Sequence, residues 1–412
     1  MMGRLIKFNA HLTVGRDENE ARARIGAVKA DEAGIEAMAP KMRHYAVKLE
    51  GVPAAGANII KQQMLALGGE AAVSAGVYAG KTESTDMIVM GSLDRLRLLA
   101  RKLADQPFGL GELGQDLPAL LENFEQKTFK VLTARGSLKL GEKPVLMGIV
   151  NCTPDSFYDG GRHFDPDAAV QRGRELIAAG AGIIDVGGES TRPGSDPVTE
   201  DEEIRRVIPV IAKLAAEPNA LLSIDTQKPG VARKAVAAGA ALINDVSALA
   251  DPEMAKAAAD TGAALILMHM KGTPRTMQAD PKYDDLFGEI IAYLRERMAR
   301  AAAAGVAEER IIVDPGIGFG KTVAHNLEII RDLWRLKSLG RPILLGHSNK
   351  SYIGKVLNAG IEDRFEGTAA SLAAGIIAGA HIVRVHDVAG MKRFAEMAGA
   401  IALGGNWPGE TR

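Results

Sequence analysis

Eight short apolar segments recur between residue 145 and the C-terminus, and each is followed by a longer stretch with helical periodicity. This alternation is typical of βα units built around a parallel sheet. The segments are nearly continuous apolar runs, as expected for strands that are buried on both faces. The predicted strands are VLMGIVN from Val145, GIIDVG from Gly182, LLSIDT from Leu221, ALINDV from Ala241, ALILMHM from Ala264, RIIVDPG from Arg310, PILLGHS from Pro342 and HIVRVHD from His381.

The size of this repeated region selects between two parallel-sheet folds. Eight βα units within residues 143–412 match a (β/α)8 TIM barrel. An open, doubly wound sheet is the alternative, but no glycine-rich dinucleotide-binding turn follows the first strand. We therefore predict an α/β protein in which residues 143–412 form a (β/α)8 TIM barrel.

The first 140 residues have a different pattern. Strand-like runs begin at Tyr45 and Asp86, and amphipathic helical runs begin at Gly56 and Ser92. This predicts a smaller N-terminal α/β or α+β domain over residues 1–140. The polar stretch at residues 133–144 is the expected boundary. No catalytic constellation is recognisable in this domain, so the sequence assigns it no role.

Composition restricts the classes of partner. The 412-residue chain has 50 basic and 51 acidic residues, so its net charge of −1 gives no overall attraction to nucleic acid or to an anionic membrane. An anionic small molecule must therefore be held by local charges. The N-terminus has no apolar signal-like segment, and a single cysteine, Cys152, excludes an internal disulfide. These features favour a cytoplasmic protein, with Cys152 as a small buried hydrophobic residue.

Polar residues end all eight predicted strands. The active sites of TIM barrels lie at the C-terminal ends of their strands, so these positions are candidate functional residues. Because strand side chains alternate between faces, Arg384 and His386 point the same way and form a paired site for anions or acceptors. The strand-end residues are Asn151, Asp185, Asp225, Asn244 with Asp245, His269, Asp314, Ser348, and Arg384 with His386.

Two glycine-containing loops follow these strands. The loop ESTRPGS carries Thr191 and Arg192, and Arg192 could join Arg384 around an anion. The run DPGIGFGKT is not a P-loop, because Pro315 stands where that motif requires glycine. Its glycines more simply allow the backbone and Phe319 to approach a ligand at the mouth of the barrel.

Taken together, these motifs resemble the dihydropteroate synthase family. The similarity runs in order through residues 143–412, and the first two motifs are the most specific. The motifs are GIVNCTPDSF from Gly148, DVGGESTRPGS from Asp185, SIDTQKPGVARKAVAAGAALINDVSA from Ser223, DPGIGFGK from Asp314, GHSNKSYIG from Gly346 and RVHDV from Arg384.

The resemblance implies a folate-pathway transferase. Such an enzyme joins 6-hydroxymethyl-7,8-dihydropterin diphosphate to 4-aminobenzoate, with Mg²⁺, and releases 7,8-dihydropteroate and diphosphate. It also implies a homodimer, and Asp225, Lys350 and Arg384 as the catalytic residues. The implied pterin ligands are Asp225, Asn244, Asp314 and Lys350; the diphosphate ligands are Asn151, which also holds Mg²⁺, with Arg192, Arg384 and His386; and the residues around aminobenzoate are Thr191, Pro193, Phe319 and Ser348.

One residue departs from the family pattern, and two other functions remain open. The family usually has arginine before the lysine of its SRKS-like motif, whereas this chain has Asn349. A pterin-binding methyltransferase with a corrinoid partner and a non-catalytic pterin-binding protein are the alternatives. Arg192, Arg384 and His386 favour the diphosphate substrate, because a methyl donor has no such leaving group.

Overall fold

The structure is a computed structural model of the 412-residue chain. It describes residues 12–153, 165–190, 197–218, 221–273, 276–277 and 280–404. Thr191, Arg192 and Pro193 therefore lie outside the described residues. The chain divides into two compact units, residues 1–125 and 126–412. No helix in the described ranges has both the length and the apolar character needed to cross a membrane.

The first unit is a small α/β structure. Its three strands form an antiparallel sheet in the order β1-β3-β2, and α3 and α5 pack against it. Its core contains Ile60 and Met64 from α3, and Leu96 and Leu99 from α5. The elements are α1 (Glu18–Gly26), α2 (Glu32–Met42), β1 (His44–Pro53), α3 (Ala54–Ala66), β2 (Glu70–Val73), α4 (Ala75–Tyr78), β3 (Ser84–Ser92), α5 (Leu93–Leu103) and α6 (Leu110–Glu125).

The second unit begins with a hairpin that lies within the N-terminal domain predicted from the sequence. Strands β4 (Phe129–Thr133) and β5 (Gly136–Leu140) pair antiparallel. Val131 and Leu140 are buried in one cluster with interior residues from the N-terminal ends of the barrel strands. The division between the units thus lies at residue 125, earlier than the expected stretch at 133–144, because the hairpin packs as part of the barrel.

The predicted (β/α)8 TIM barrel is confirmed. Eight parallel strands follow the order β11-β10-β9-β8-β7-β6-β13-β12, and a parallel bridge between Val313 and Ile343 joins the two ends. The last-but-one strand is short because only Leu344 and Leu345 form regular ladder pairs. The strands are β6 (Val145–Asn151), β7 (Ile183–Gly187), β8 (Leu221–Asp225), β9 (Leu242–Asp245), β10 (Ala264–Met268), β11 (Ile311–Asp314), β12 (Leu344–Leu345) and β13 (Ile382–Val385).

Helices surround this barrel, and local sequence signals set their ends. Helix α7, for example, is capped by the Asp165 carboxylate, begins with Pro166 and stops at Gly180 in the left-handed conformation. The apolar faces of the helices and the outer faces of the strands form the largest core of the chain. The helices are α7 (Pro166–Ala179), α8 (Glu200–Leu214), α9 (Pro229–Ala238), α10 (Glu253–Thr261), α11 (Leu286–Ala303), α12 (Val323–Arg331), α13 (Ser351–Leu357), α14 (Phe365–Ile377) and α15 (Val388–Leu403).

Candidate active site

The polar strand ends converge at the C-terminal mouth of the barrel. Along β7, Ile183 lies in the apolar interior cluster, and Asp185, two residues later, faces the same way. Apolar residues thus fill the lower barrel, and polar side chains replace them one layer higher. Among the polar residues of that layer, Asp185, Asn244 and Asp314 are buried.

Asp185 and Arg384 form the centre of this layer. Oδ2 of Asp185 accepts hydrogen bonds from Nε of Arg384 at 2.6 Å and from Nδ2 of Asn244 at 3.0 Å. Nη2 of Arg384 also donates to Oδ2 of Asp225 at 2.7 Å. Charge-assisted bonds of this kind are stronger than neutral ones, so Arg384 is held rigidly between two carboxylates. Side chains from four strands therefore form one connected network.

Burial favours the protonated forms of two carboxyl groups in this layer. It raises the pKa of Asp225, although the Arg384 guanidinium opposes the shift. Burial also raises the pKa of Asp314 to about 6, and the Gly316 N–H, 2.7 Å from Oδ1, acts in the opposite direction. The Asp225 side chain keeps 12% of its surface exposed, so it can contact a ligand directly. Carboxyl groups with raised pKa values in a cleft are candidates for substrate binding or catalysis.

Two polar atoms beside this network have no hydrogen-bond partner among the described residues. Oδ1 of Asp185 and Oγ of Ser223 are buried without a hydrogen bond in the described part of the chain. The two residues are paired across neighbouring strands. Buried polar atoms are usually satisfied by protein or by ordered water. These two atoms can therefore form hydrogen bonds to water or to a ligand.

A second group of candidate residues lies on the loops after β11, β12 and β13. Oγ of Ser348 and Nδ1 of His386 are 3.0 Å apart, so the two side chains share a hydrogen bond. Nζ of Lys350 lies 4.2 Å from the centre of the Phe319 ring, within the range of a cation–π contact. Lys350 also lowers the pKa of both Asp225 and Asp314 by its charge. These loops thus bring an aromatic face and a cation next to the buried carboxylates.

Asn349 faces away from this group. Its backbone has a φ of 56°, a left-handed conformation that asparagine tolerates better than most residues. Its backbone N–H donates to Oγ1 of Thr368, whose hydroxyl donates to the Asn349 Oδ1, both at 3.3 Å. Arg364 donates to the Asn349 carbonyl at 2.9 Å. The residue that departs from the family pattern therefore fixes the loop to α14.

Asn151 is the candidate metal ligand, and it ends β6 in a half-buried position. No group of three or more His, Cys, Asp or Glu side chains suited to a metal occurs in the described ranges. Mg²⁺ commonly keeps several waters and takes its other ligands from few protein groups and from substrate phosphates. A single amide oxygen at the mouth fits a Mg²⁺ ion that arrives with a phosphorylated substrate.

The interpretation of Cys152 as a buried residue fits its surroundings. The thiol is fully buried, and burial raises its pKa to about 12. A protonated thiol is a poor nucleophile, so this group is not activated for covalent catalysis.

An ion-pair cluster that the sequence did not predict lies next to this site. Nζ of Lys228 lies 2.6 Å from Glu189 and 2.5 Å from Glu203, which is fully buried. Oε1 of Glu189 also accepts from the Val198 N–H at 3.0 Å, and these two residues flank the segment that carries Thr191 and Arg192. Glu189 and Lys228 each lie within a recognised motif, but their contacts join residues 39 and 25 positions apart, so the sequence held no signal that these three charges meet.

The barrel and its mouth match a known class of enzyme. Residues 147–386 match the model of the pterin-binding enzyme family. The dihydropteroate synthase of Escherichia coli is 47% identical over 257 residues, which cover 62% of this chain and 91% of that one. The solved dihydropteroate synthase of Xanthomonas albilineans with 4-aminobenzoic acid is 43% identical, with a TM-score of 0.62, and the match covers 66% of this chain and 98% of that one.

A third relative extends beyond the barrel. A probable bifunctional folylpolyglutamate synthase/dihydropteroate synthase from Halobacterium salinarum is 40% identical over 376 residues, 90% of this chain and 44% of that protein. This length exceeds the second unit, so the match reaches into the first.

The chain is thus a transferase built on a pterin-binding barrel. It belongs to the dihydropteroate synthase family.

Proposed function

We propose that the barrel joins 6-hydroxymethyl-7,8-dihydropterin diphosphate to 4-aminobenzoate through the residues at its mouth. The network of Asp225, Asn244 and Arg384 around the buried Asp185 is the observation that carries this proposal. It combines acceptors for a heterocycle with a fixed cation for a leaving anion. The family relatives support this assignment of the reaction.

In this proposal, buried polar groups recognise the pterin. The pyrimidine edge of a pterin presents adjacent N–H donors next to acceptors. A carboxylate such as Asp314 accepts two such donors, and Asn244 matches a mixed edge. Lys350, next to Phe319, donates to the ring acceptors. A site of this kind rejects rings that leave its buried groups unpaired.

The diphosphate is the leaving group, and its charge grows as the C–O bond breaks. Arg384 and His386 stabilise this charge, and Arg192 from the undescribed loop is proposed to join them. Asn151 would help to hold Mg²⁺, which neutralises part of the diphosphate charge when it is bound. Arg384 does not act as a general acid or base, because arginine stays charged at any relevant pH.

We propose a dissociative, SN1-like bond cleavage. The reduced pterin ring delocalises the positive charge left on its methylene carbon. The carboxylate of Asp225, held by Arg384, stabilises that cation by charge. The arylamine of 4-aminobenzoate attacks as the free base and loses its proton afterwards, so no strong general base is required. Ser348 and Phe319, with Thr191 and Pro193 from the undescribed loop, are proposed to surround the aminobenzoate.

One measurement tests this function against its alternatives. Purified protein is incubated with the pterin diphosphate and Mg²⁺, with and without 4-aminobenzoate, and diphosphate release is followed. We expect release that depends on 4-aminobenzoate and yields dihydropteroate in equal amount. Pterin binding without release would favour a non-catalytic binding protein, and methyl transfer from an intact folate would favour the methyltransferase.

We also propose that two copies of the chain associate through the barrel. Phe365 on α14 and Phe394, Met397 and Ile401 on α15 are between 39% and 61% exposed, and the two phenylalanine rings contact each other edge to face. An exposed apolar patch of this kind is typical of an interaction site. Analytical ultracentrifugation should give a dimer mass for the wild type, and Met397→Glu should shift it toward the monomer. A monomeric wild type would contradict this proposal.

A cytoplasmic location is proposed on the single buried cysteine, because proteins of oxidising compartments commonly use disulfides. Subcellular fractionation with an antibody to the chain should place it with cytosolic markers.

A further inference from the structure

Lys321 is a buried lysine that the reaction described above does not use. It follows the glycine-rich turn after β11 and is only 3% exposed. Its Nζ atom lies 2.9 Å from Nδ1 of His269, 3.0 Å from the Phe319 carbonyl oxygen and 3.4 Å from the His269 carbonyl oxygen. These three acceptors are uncharged. Burying a cation against neutral acceptors costs free energy, so we expect Lys321 to have a structural or functional role at this position.

The turn that Lys321 follows is packed tightly against the end of β10. Gly316 and Gly320 have positive φ angles of 69° and 64°. A Cβ atom on Gly316 would come within 2.0 Å of the His269 carbonyl oxygen, and one on Gly320 within 2.4 Å of the Lys271 carbonyl oxygen. Lys321 bonds to both sides of this contact, because it joins Phe319 in the turn to His269 at the strand end. It therefore links the position of Phe319 to the barrel wall.

The number of acceptors matches the charged form of the lysine. An ammonium group has three donors for the three acceptors, whereas a neutral amine has two. His269 can accept at Nδ1 because burial lowers its pKa to about 2 and keeps it neutral. Protonated Lys321 thus has one donor for each of the three acceptors around it.

The same burial places the titration of Lys321 near neutral pH. Burial lowers the pKa of Lys321 to about 7, while Asp314 on β11 raises it and Lys350 lowers it. His269 carries no charge in this range, and Lys271 on its other side acts on His269 by charge. The Tyr293 ring packs on His269, and burial keeps its hydroxyl protonated. As the pH rises through about 7, the turn therefore loses one donor.

We propose that Lys321 is a positioning residue, whose ammonium group holds the Phe319 turn against β10 and so sets the affinity of the site for the aromatic amine substrate. This inference rests on the proposed function in taking Phe319 as a neighbour of 4-aminobenzoate. The KM for 4-aminobenzoate should rise with pH through the titration of a residue that never contacts the substrate.

The test compares Lys321→Met with the wild type at saturating pterin diphosphate and Mg²⁺. We expect the KM for 4-aminobenzoate at pH 6 to rise about tenfold, the scale of one lost charged hydrogen bond, with kcat within about twofold. The wild-type KM should increase between pH 6 and pH 8.5, and the KM of the variant should be flat. Lys271→Met is the matched control, since Lys271 is partly exposed and pairs with Glu289. It should retain the wild-type KM and its pH dependence.

A second variant covers the case in which Lys321→Met does not fold. His269→Phe removes the Nδ1 acceptor and keeps a ring against Tyr293, so the ammonium is less stabilised and the rise in KM should begin at lower pH. Folded Lys321→Met with a wild-type KM and pH dependence would overturn the inference, even if its melting temperature were lower. So would His269→Phe with an unchanged profile. A wild type without aminobenzoate-dependent diphosphate release would overturn the proposed function and this inference with it.

Discussion

Nε of Arg384 lies 2.6 Å from Oδ2 of Asp185, a carboxylate that is fully buried below the mouth of the barrel. The carboxylate raises the pKa of Arg384, which thus keeps its charge despite burial. The Asp185 side chain has no exposed surface with which to meet a substrate, whereas the Arg384 side chain is 21% exposed. The contribution of Asp185 to the reaction is to fix the direction of the Arg384 side chain.

Asp185→Asn should therefore weaken catalysis through Arg384. The amide is isosteric but uncharged, so it no longer fixes the guanidinium, and we expect kcat/KM for the pterin diphosphate to fall by about 1.5 to 3 kcal/mol. Steady-state kinetics with the thermal midpoint recorded alongside provide the measurement. Asp260→Asn, which affects an exposed ion pair with Arg233, is the control and should leave both values unchanged. Wild-type kinetics in Asp185→Asn would show that Arg384 is oriented by Asp225 alone.

Asp225→Ala and Asp314→Ala should each reduce turnover strongly. Each variant removes a buried carboxylate proposed to bind the pterin, and we expect a loss of at least about 2 to 3 kcal/mol of transition-state stabilisation. The comparison is kcat/KM for diphosphate release by each folded variant. Near-normal turnover in both would rule out the proposed pterin pocket.

Pterin binding should weaken on the acid side of pH 6. The pKa of Asp314 is raised to about 6, so its carboxylate gains a proton as the pH falls through that value and can no longer accept two pterin N–H bonds. The bound donors favour the ionised form, so the Kd should rise between about pH 6.5 and pH 5. Calorimetric titration with an uncharged pterin avoids the titration of the diphosphate. Asp314→Asn should bind more weakly and lose this pH dependence; an acid limb that persists in Asp314→Asn belongs to another group.

Asn349→Arg should have a small effect on the reaction, and Arg384→Ala a large one. Arginine at position 349 loses the contact with Thr368 and adopts a left-handed backbone that costs most L-residues roughly 1 to 2 kcal/mol, so the variant should be less stable. Its substrate affinity should change by about 1 kcal/mol or less. Arg384→Ala removes the cation aimed at the diphosphate. Diphosphate release at saturating aminobenzoate compares the two variants, and a reversed ranking would place the anion site elsewhere.

The sequence predicted the barrel well because each strand is a continuous apolar run that needs no distant partner to be recognised. The runs from Val145 and Leu221, for example, coincide with β6 and β8. The same alternation showed which residues reach the mouth. It could not show that Arg384 contacts both Asp185 and Asp225, since those bonds join residues 199 and 159 positions apart.

The β4–β5 hairpin was misplaced for a different reason. Its turn is polar and contains glycine, which is also the composition of a linker between domains. The burial of Val131 and Leu140 among barrel residues shows that the hairpin belongs to the barrel. The sequence did not predict the burial of Lys321, because a lysine after a glycine-rich turn is usually exposed.

The first unit should be dispensable for folding of the barrel, whereas the hairpin should not. Residues 126–412 retain Val131 and Leu140, but residues 143–412 lack both and expose the apolar interior at the base of the barrel. We expect the longer fragment to be monodisperse and to bind pterin, and the shorter one to melt at a lower temperature or aggregate. Size-exclusion chromatography and calorimetry compare them. Equal stability of the two fragments would assign the hairpin no structural role.

The hairpin also covers the end of the barrel opposite its mouth. Val131 and Leu140 join the apolar cluster at the end opposite the mouth, so in the described part of the chain apolar side chains separate the buried carboxyl groups from solvent at that end. Substrates that occupy the mouth would then lie between the solvent and both Asp225 and Asp314. Each catalytic cycle would then run in the protonation state that was present when the second substrate arrived, and the pH of the medium would act on the encounter rather than on the chemistry.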